Sequence, residues 1–233
     1  MVDDFGEGLG ENLRVLKQRV EAAARRSGRS AGDVRIMGAS KRVPVDRLRV
    51  AAEFGLGLFG ENYVQEALPK IAALPDVEWH LIGGLQTNKA RLVVGAFRVI
   101  QSVDRWDLAA ALDRRAQAQG IRQAVLVEVN LGDEAAKSGA RPGEALDLVR
   151  RMEDLPGLEV EGLMGMPPFS PDQEASRPYF ATLKSLWDQH HNDSWRTLSM
   201  GMSGDFEVAI EEGSTLVRIG TALFGARDAG HAG

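Results

Sequence analysis

At 233 residues and 44% hydrophobic content, the chain can bury a core of substantial size, and residues 1–233 are read as one α/β domain because nothing in the length calls for a second. The net charge of -5 comes from interspersed acids and bases with no basic block, which argues against nucleic acid as a partner. Cysteine is absent, so disulfides, thiolate nucleophiles and thiolate metal sites are excluded.

The opening Met1-Val2-Asp3-Asp4-Phe5-Gly6 is acidic and has no basic region followed by an apolar one. No apolar run of about 18 residues or more occurs, so a soluble, cytoplasmic protein with no membrane partner is expected. Leu13, Leu16, Val20, Ala23 and Ala24 recur at helical spacing and predict a leading amphipathic helix that ends at the turn-rich Ser27-Gly28-Arg29-Ser30. Short β-like runs follow at 34–40, 56–59, 78–82, 98–102, 125–130, 158–164, 197–200 and 216–219, separated by amphipathic helices such as 46–54 and 107–119. Strands that alternate with helices call for a parallel sheet, and eight such units predict a closed (β/α)8 barrel with one extra N-terminal helix. After the sixth run, Gly165-Met166-Pro167-Pro168-Phe169-Ser170 reads as an extended loop whose Phe169 could cover a ligand. Ser170, Pro171 and Gln173 then read as N-cap, first-turn proline and capping-box partner of a helix ending near His190.

Alternation along the strands sorts side chains between lumen and helices. If the branched residues pack on helices, Arg35, Met37, Ala39 and Lys41 point inward, as do Leu216, Arg218 and Gly220, and also Glu128 and Asn130. The inward charge of Glu128 needs a partner that the sequence does not name.

Lys41 closes the first strand and is one of only 6 lysines against 22 arginines. An amine at a barrel rim can attack an aldehyde to form an imine, whereas a lysine at a strand end can also simply snorkel into water. Small Gly38, Ala39 and Ser40 are expected to leave room beside it for a planar ring. Ser203-Gly204 and Gly220-Thr221 follow the seventh and eighth strands, where barrels place backbone amides and hydroxyls that bind phosphate, although each pair alone is also ordinary turn chemistry. Arg218 is permanently cationic and has no acceptor. Facing a pyridine nitrogen, it would keep that nitrogen unprotonated and the ring a poor electron sink; alternatively it forms an ion pair inside the barrel, with Glu128 as one choice. A ligand that meets amine, guanidinium and phosphate cradle together is an aldehyde carrying a phosphate and an aromatic nitrogen, as pyridoxal 5'-phosphate does. Asn62, after the second strand, could hydrogen-bond its phenolic oxygen. His80 is either a satisfied core histidine or a proton carrier, Tyr63 is expected to pack, and the four histidines at 80, 190, 191 and 231 suggest no metal triad.

The motifs Met37-Gly38-Ala39-Ser40-Lys41, Phe59-Gly60-Glu61-Asn62-Tyr63-Val64-Gln65-Glu66, Trp79-His80-Leu81-Ile82-Gly83, Gly162-Leu163-Met164-Gly165-Met166, Leu198-Ser199-Met200-Gly201-Met202-Ser203 and Val217-Arg218-Ile219-Gly220-Thr221 resemble those of the pyridoxal phosphate homeostasis protein family, from about residue 10 to Asp228. The resemblance implies a barrel like the N-terminal domain of alanine racemase. It also implies an imine at Lys41, the pyridine nitrogen at Arg218, and the phosphate at Ser203, Gly204, Gly220 and Thr221. Many relatives carry an acidic residue where this chain has Gly204, and some have a second lysine where Arg42 and Val43 stand here. Lys137 resembles a family lysine that helps transfer the cofactor. The expected role is intracellular carrier and buffer of vitamin B6, a monomer that hands pyridoxal phosphate to apo-enzymes without robust catalysis. The alternative is an amino-acid racemase of weak activity. That reading needs a second base from a separate domain, and this sequence offers only Tyr63 and Tyr179. A lysine-imine aldolase would need a proton relay beside Lys41 that the sequence does not reveal.

Overall fold

The computed structural model describes residues 3–132 and 138–225. Eight parallel strands close into a barrel in chain order: β1 (Arg35–Ala39), β2 (Leu58–Glu61), β3 (Glu78–Leu81), β4 (Val99–Val103), β5 (Gln123–Asn130), β6 (Leu158–Met166), β7 (Thr197–Met202) and β8 (Leu216–Ile219). The barrel shuts where Met37 pairs with Arg218 and Gly38 with Ile219. The connecting helices are α2 (Val45–Glu53), α3 (Val64–Ala73), α4 (Ala90–Val93), α5 (Trp106–Gln119), α6 (Pro142–Glu153), α7 (Arg177–His190), α8 (Phe206–Glu211) and α9 (Thr221–Phe224), preceded by α1 (Asp3–Arg26). Among the described residues, no helix is long and apolar enough to cross a membrane.

The predicted stripe of α1 is buried as expected: Leu13, Leu16, Val20, Ala23 and Ala24 face the core, and Leu9 extends it toward the N-terminus. Polar ties hold the same helix to α8 and α9. Arg19 pairs with Glu207 at 2.9 Å, Arg26 with Glu211 at 2.6 Å, and Asn12 donates to the Leu223 carbonyl at 3.1 Å. Pairs as exposed as these add little stability, so burial of the apolar stripe carries the docking.

Alternation divides the sheet as the sequence predicted. Val217 and Ile219 pack outward into the shell beneath the helices, while Met37, Leu58 and Leu216 form a separate apolar cluster inside the lumen. A second lumen cluster joins Val99, Ala124, Leu126 and Met164. Gly60 makes room for this filling, because a Cβ there would strike Met37 Sδ. Polar lumen positions lie among these clusters, and they build the site described below.

Two local expectations require correction. The second strand begins two residues later than predicted and continues to Glu61, since its ladder to β3 runs from Leu58–Glu78 to Glu61–Leu81. The cap before α7 is Asp172, not Ser170: the Asp172 carboxylate accepts from Glu174 N at 3.0 Å and starts a 3-10 turn at Gln173–Ser176, after which α7 begins. Ser170 Oγ instead accepts from Asp172 N. Phe169 is 91% exposed in the loop after β6.

Candidate cofactor site

The carboxyl ends of β1, β2, β7 and β8 gather the predicted residues at one rim. β1 stops at Ala39, and Ser40 to Val43 make a tight turn in which Val43 N donates to Ser40 O at 2.9 Å. Lys41 is therefore presented by this turn just beyond the strand, half-buried, with its Nζ 5.2 Å from the centre of the Tyr63 ring. At that separation the ring face attracts the ammonium and holds the side chain at the rim. Arg42 follows in the left-handed region with φ 60°, which a non-glycine residue adopts only when its surroundings fix it.

What fixes the turn is a buried ionic knot the sequence reading did not find. Lys70, on α3, donates to Glu61 Oε1 at 2.6 Å, Glu66 Oε1 at 2.7 Å and the Ser40 carbonyl at 2.9 Å, so all three of its protons are used. Ser40 Oγ donates to Glu61 Oε1 at 2.8 Å, and Arg42 N donates to Glu66 Oε1 at 2.5 Å. Residues 40 and 42 are thus tied to the knot on either side of Lys41. Burial raises the Glu61 pKa against the opposing bonds from Lys70 and Ser40, and Glu61 Oε2 has no partner.

The small residues near Lys41 serve packing more than ligand space. A Cβ on Gly38 would lie 2.9 Å from Leu56 Cδ2 and 3.0 Å from Phe59 Cδ1, so Gly38 faces the outer shell. Ser40 belongs to the knot. Of the three, Ala39 shares the parity of Lys41 and stands 3.7 Å from a Cβ built on Gly220, across the seam from the proposed phosphate turn. Asn62 is half-buried, and its backbone is pressed against Gly83, whose Cβ would strike the Asn62 carbonyl oxygen.

At the ends of β7 and β8, Ser203 Oγ accepts hydrogen bonds from Gly220 N and Ala222 N, each at 3.2 Å. Two amides and a hydroxyl therefore converge on one point, with Thr221 opening α9 beside them. Around Gly204 nothing lies within 4 Å of a built Cβ, so its backbone is open to an approaching group. This donor set, with no carboxylate bonded into it, suits a phosphate.

Arg218 is 4% exposed and reaches across the lumen. Its Nη1 donates to Ser199 O at 2.8 Å and Ser199 Oγ at 2.7 Å, and its Nη2 donates to the Gly165 carbonyl at 3.0 Å. Burial lowers its pKa to about 10, opposed by the charges of Asp205 and Glu128, so it remains cationic at neutral pH. No ion pair joins it to Glu128. Three hydrogen bonds from a group with five N–H donors leave donors over for a ligand. Glu128 lies in the lumen at 5% exposure with Oε2 unpartnered; burial, reinforced by Asp104 and opposed by Arg218, pushes its pKa up to about 7. His80 is satisfied on both ring nitrogens, by Glu78 at 2.6 Å and Gln101 at 2.7 Å, and burial lowers its pKa. Lys137 lies outside the described residues.

A closed parallel barrel that carries a lysine, an arginine and a serine-glycine turn toward one rim defines a class, and comparison with known families identifies it. A family profile described as "Alanine racemase, N-terminal domain" matches residues 11–228. An alanine racemase from Clostridium difficile 630 superposes with a TM-score of 0.73 over 94% of this chain and 58% of that one, at 15% identity, a likeness of fold alone. Within this class the chain belongs to the pyridoxal phosphate homeostasis protein family: it is 46% identical over 222 residues to the Aquifex aeolicus protein of that name, spanning 93% of this chain and 97% of that one. PipY of Synechococcus elongatus PCC7942, at 35% identity and covering 93% of this chain and 100% of its own, has been solved without PLP (TM-score 0.81) and with PLP bound (TM-score 0.78).

Proposed function

We propose that this chain holds pyridoxal 5'-phosphate covalently and reversibly on Lys41, buffers it in the cell, and releases it to apo-enzymes that require it. When bound, the cofactor supplies an aldehyde carbon that condenses with a primary amine and loses water on doing so. Lys41 offers that amine from a turn fixed by the Lys70 knot. Ser203, Gly204, Gly220 and Thr221 receive the phosphate, toward which the Gly220 amide would turn from the Ser203 hydroxyl it now meets. Arg218 donates to the ring nitrogen and, having no acceptor, leaves that nitrogen unprotonated; the electron demand that enzymes use to labilise bonds at an amino acid's α-carbon is thereby withheld. Asn62 donates to the phenolic oxygen.

The single observation that carries this reading is the convergence of Lys41, Arg218 and the Ser203–Gly220 cradle at one rim, in a chain whose 35%-identical relative was solved with PLP bound. The racemase alternative needs a second base opposite the lysine. Tyr63 lies against Lys41, on the lysine side.

The test is spectroscopic. Purified protein with added pyridoxal phosphate is expected to gain a near-visible band, and borohydride followed by peptide mapping is expected to place the label on Lys41. Lys41→Ala should lose both. A label on another residue, or sustained turnover of an alanine enantiomer, would refute the reading.

A further inference from the structure

His80, Gln101 and Ser199 are buried polar residues that line the lumen from three different strands, and the function proposed above uses none of them. They are linked end to end. Arg218 Nη1 donates to Ser199 Oγ at 2.7 Å, Ser199 Oγ donates to Gln101 Oε1 at 2.7 Å, Gln101 Nε2 meets His80 Nδ1 at 2.7 Å, and His80 Nε2 meets Glu78 Oε1 at 2.6 Å. At the far end Arg35 binds the same carboxylate at 2.8 Å from the amino-terminal rim.

Chemistry fixes the direction of every link. The Glu78 carboxyl is held down to about 2, first by the bond from His80 and then by Arg35, so it can only accept. His80 Nε2 must therefore carry a proton. Burial disfavours the charged imidazole, which leaves Nδ1 as an acceptor. Gln101 must then turn its NH2 toward His80 and its oxygen toward Ser199. Ser199 spends its one proton on that oxygen and offers its lone pairs to Arg218. Ladder irregularities aim two of the members: β4 shifts register against β5 between Ile100 and Val103, and β7 shifts against β8 between Ser199 and Met202.

We propose that Gln101 and His80 are positioning residues, forming with Ser199 a one-way hydrogen-bond column that orients the Arg218 guanidinium across the lumen and anchors it on the Glu78 carboxylate at the opposite rim. The column supports a buried cation through aligned neutral dipoles in place of a contacting carboxylate, which leaves the cation's remaining donors for the ligand. Its bearing on the ligand depends on the proposed contact between Arg218 and the ring nitrogen; its existence does not.

Two measurements test this; the first, made on cofactor-free protein, fails independently of the cofactor assignment, and the second rests on it. In cofactor-free protein at pH 7, ring-nitrogen NMR should show His80 neutral with the proton on Nε2. Gln101→Glu should place a second proton on Nδ1, because a carboxylate there can only accept. A wild-type His80 protonated on Nδ1, or on both nitrogens, would overturn the column, and so would an unchanged tautomer in Gln101→Glu. In loaded protein, Gln101→Leu should weaken pyridoxal phosphate binding about fivefold to tenfold, the loss of one hydrogen bond's net contribution. The same change made in a Ser199→Ala background should add less than twofold. Full additivity, or no effect of Gln101→Leu on binding, would reduce Gln101 to packing and refute the proposal.

Discussion

Glu128→Gln gives a sharp test of the lumen electrostatics. Glu128 sits at 5% exposure with Oε2 unpartnered, and burial lifts its pKa to about 7 from the ordinary 4.5. A carboxyl whose folded pKa exceeds its unfolded one binds its proton more tightly in the folded state, so folding takes up a proton between pH 4.5 and about 7. The stability this contributes is fully present below pH 4.5, falls as pH rises through the window, and is gone above about 7. At about 1.4 kcal/mol per pH unit, the difference corresponds to about 3 kcal/mol between the ends of the window. Glutamine keeps the shape and cannot ionise. Urea unfolding of cofactor-free protein from pH 4.5 to 8.5 should therefore show the wild-type losing about 3 kcal/mol more than Glu128→Gln as pH rises. In thermal melts the variant should gain about 6–12 °C on the wild-type over the same range. Parallel curves, offset by a constant amount at every pH, would show that Glu128 does not titrate in the window and would refute the reasoning.

Two further predictions concern the Lys41 turn and its neighbour. Lys70→Met removes the cation that holds Glu61, Glu66 and Ser40 together and leaves the buried Glu61 carboxylate uncompensated, so a loss of about 3–5 kcal/mol is expected in denaturant unfolding. The double variant Lys70→Met, Glu61→Gln should recover part of that loss, and no recovery would show that charge burial is not its cause. Gly83→Ala places a Cβ on the Asn62 carbonyl oxygen and 2.6 Å from Asn62 Cα. Backbone cannot yield there as a flexible side chain would, so a destabilisation of about 1–3 kcal/mol is expected, and an unchanged melting temperature would show that β2 and β3 tolerate separation at this rim.

The sequence disclosed the barrel because its period-two alternation is strong where it matters. Val217 and Ile219 against Leu216 and Arg218, or Val125, Val127 and Val129 against Leu126 and Glu128, can be assigned to faces without knowing any neighbour. Alternation also places Gly38 opposite Lys41, which sets it on the outer face, where Leu56 and Phe59 fill the space a side chain would need. Strand ends were less legible. The β2 ladder is set by β3, so Glu61 joins the sheet through its pairing with Leu81, and no local propensity announces that. Likewise Asp172 takes the cap before the 3-10 turn because its carboxylate reaches Glu174 N, while the preceding Ser170 Oγ serves Asp172 N instead. The competition between the two is a matter of backbone geometry.

The polar interior was legible only residue by residue. Inward parity can be read for His80, Gln101 and Ser199 from the strands that carry them, but their joining depends on how far each strand is staggered around a closed barrel. Two of the links sit where the ladder slips register. The Lys70 knot depends on tertiary placement in a different way, since a helix lysine nine positions after Glu61 reaches back over the strand end only once α3 has docked. Both arrangements do similar work from opposite sides of the ligand's proposed seat. The knot fixes the turn that carries the amine, and the column fixes the guanidinium, so the two cations that would face the cofactor are held by buried neighbours before any ligand arrives. Such preorganisation favours reversible holding, because little order has to be gained on binding or surrendered on release.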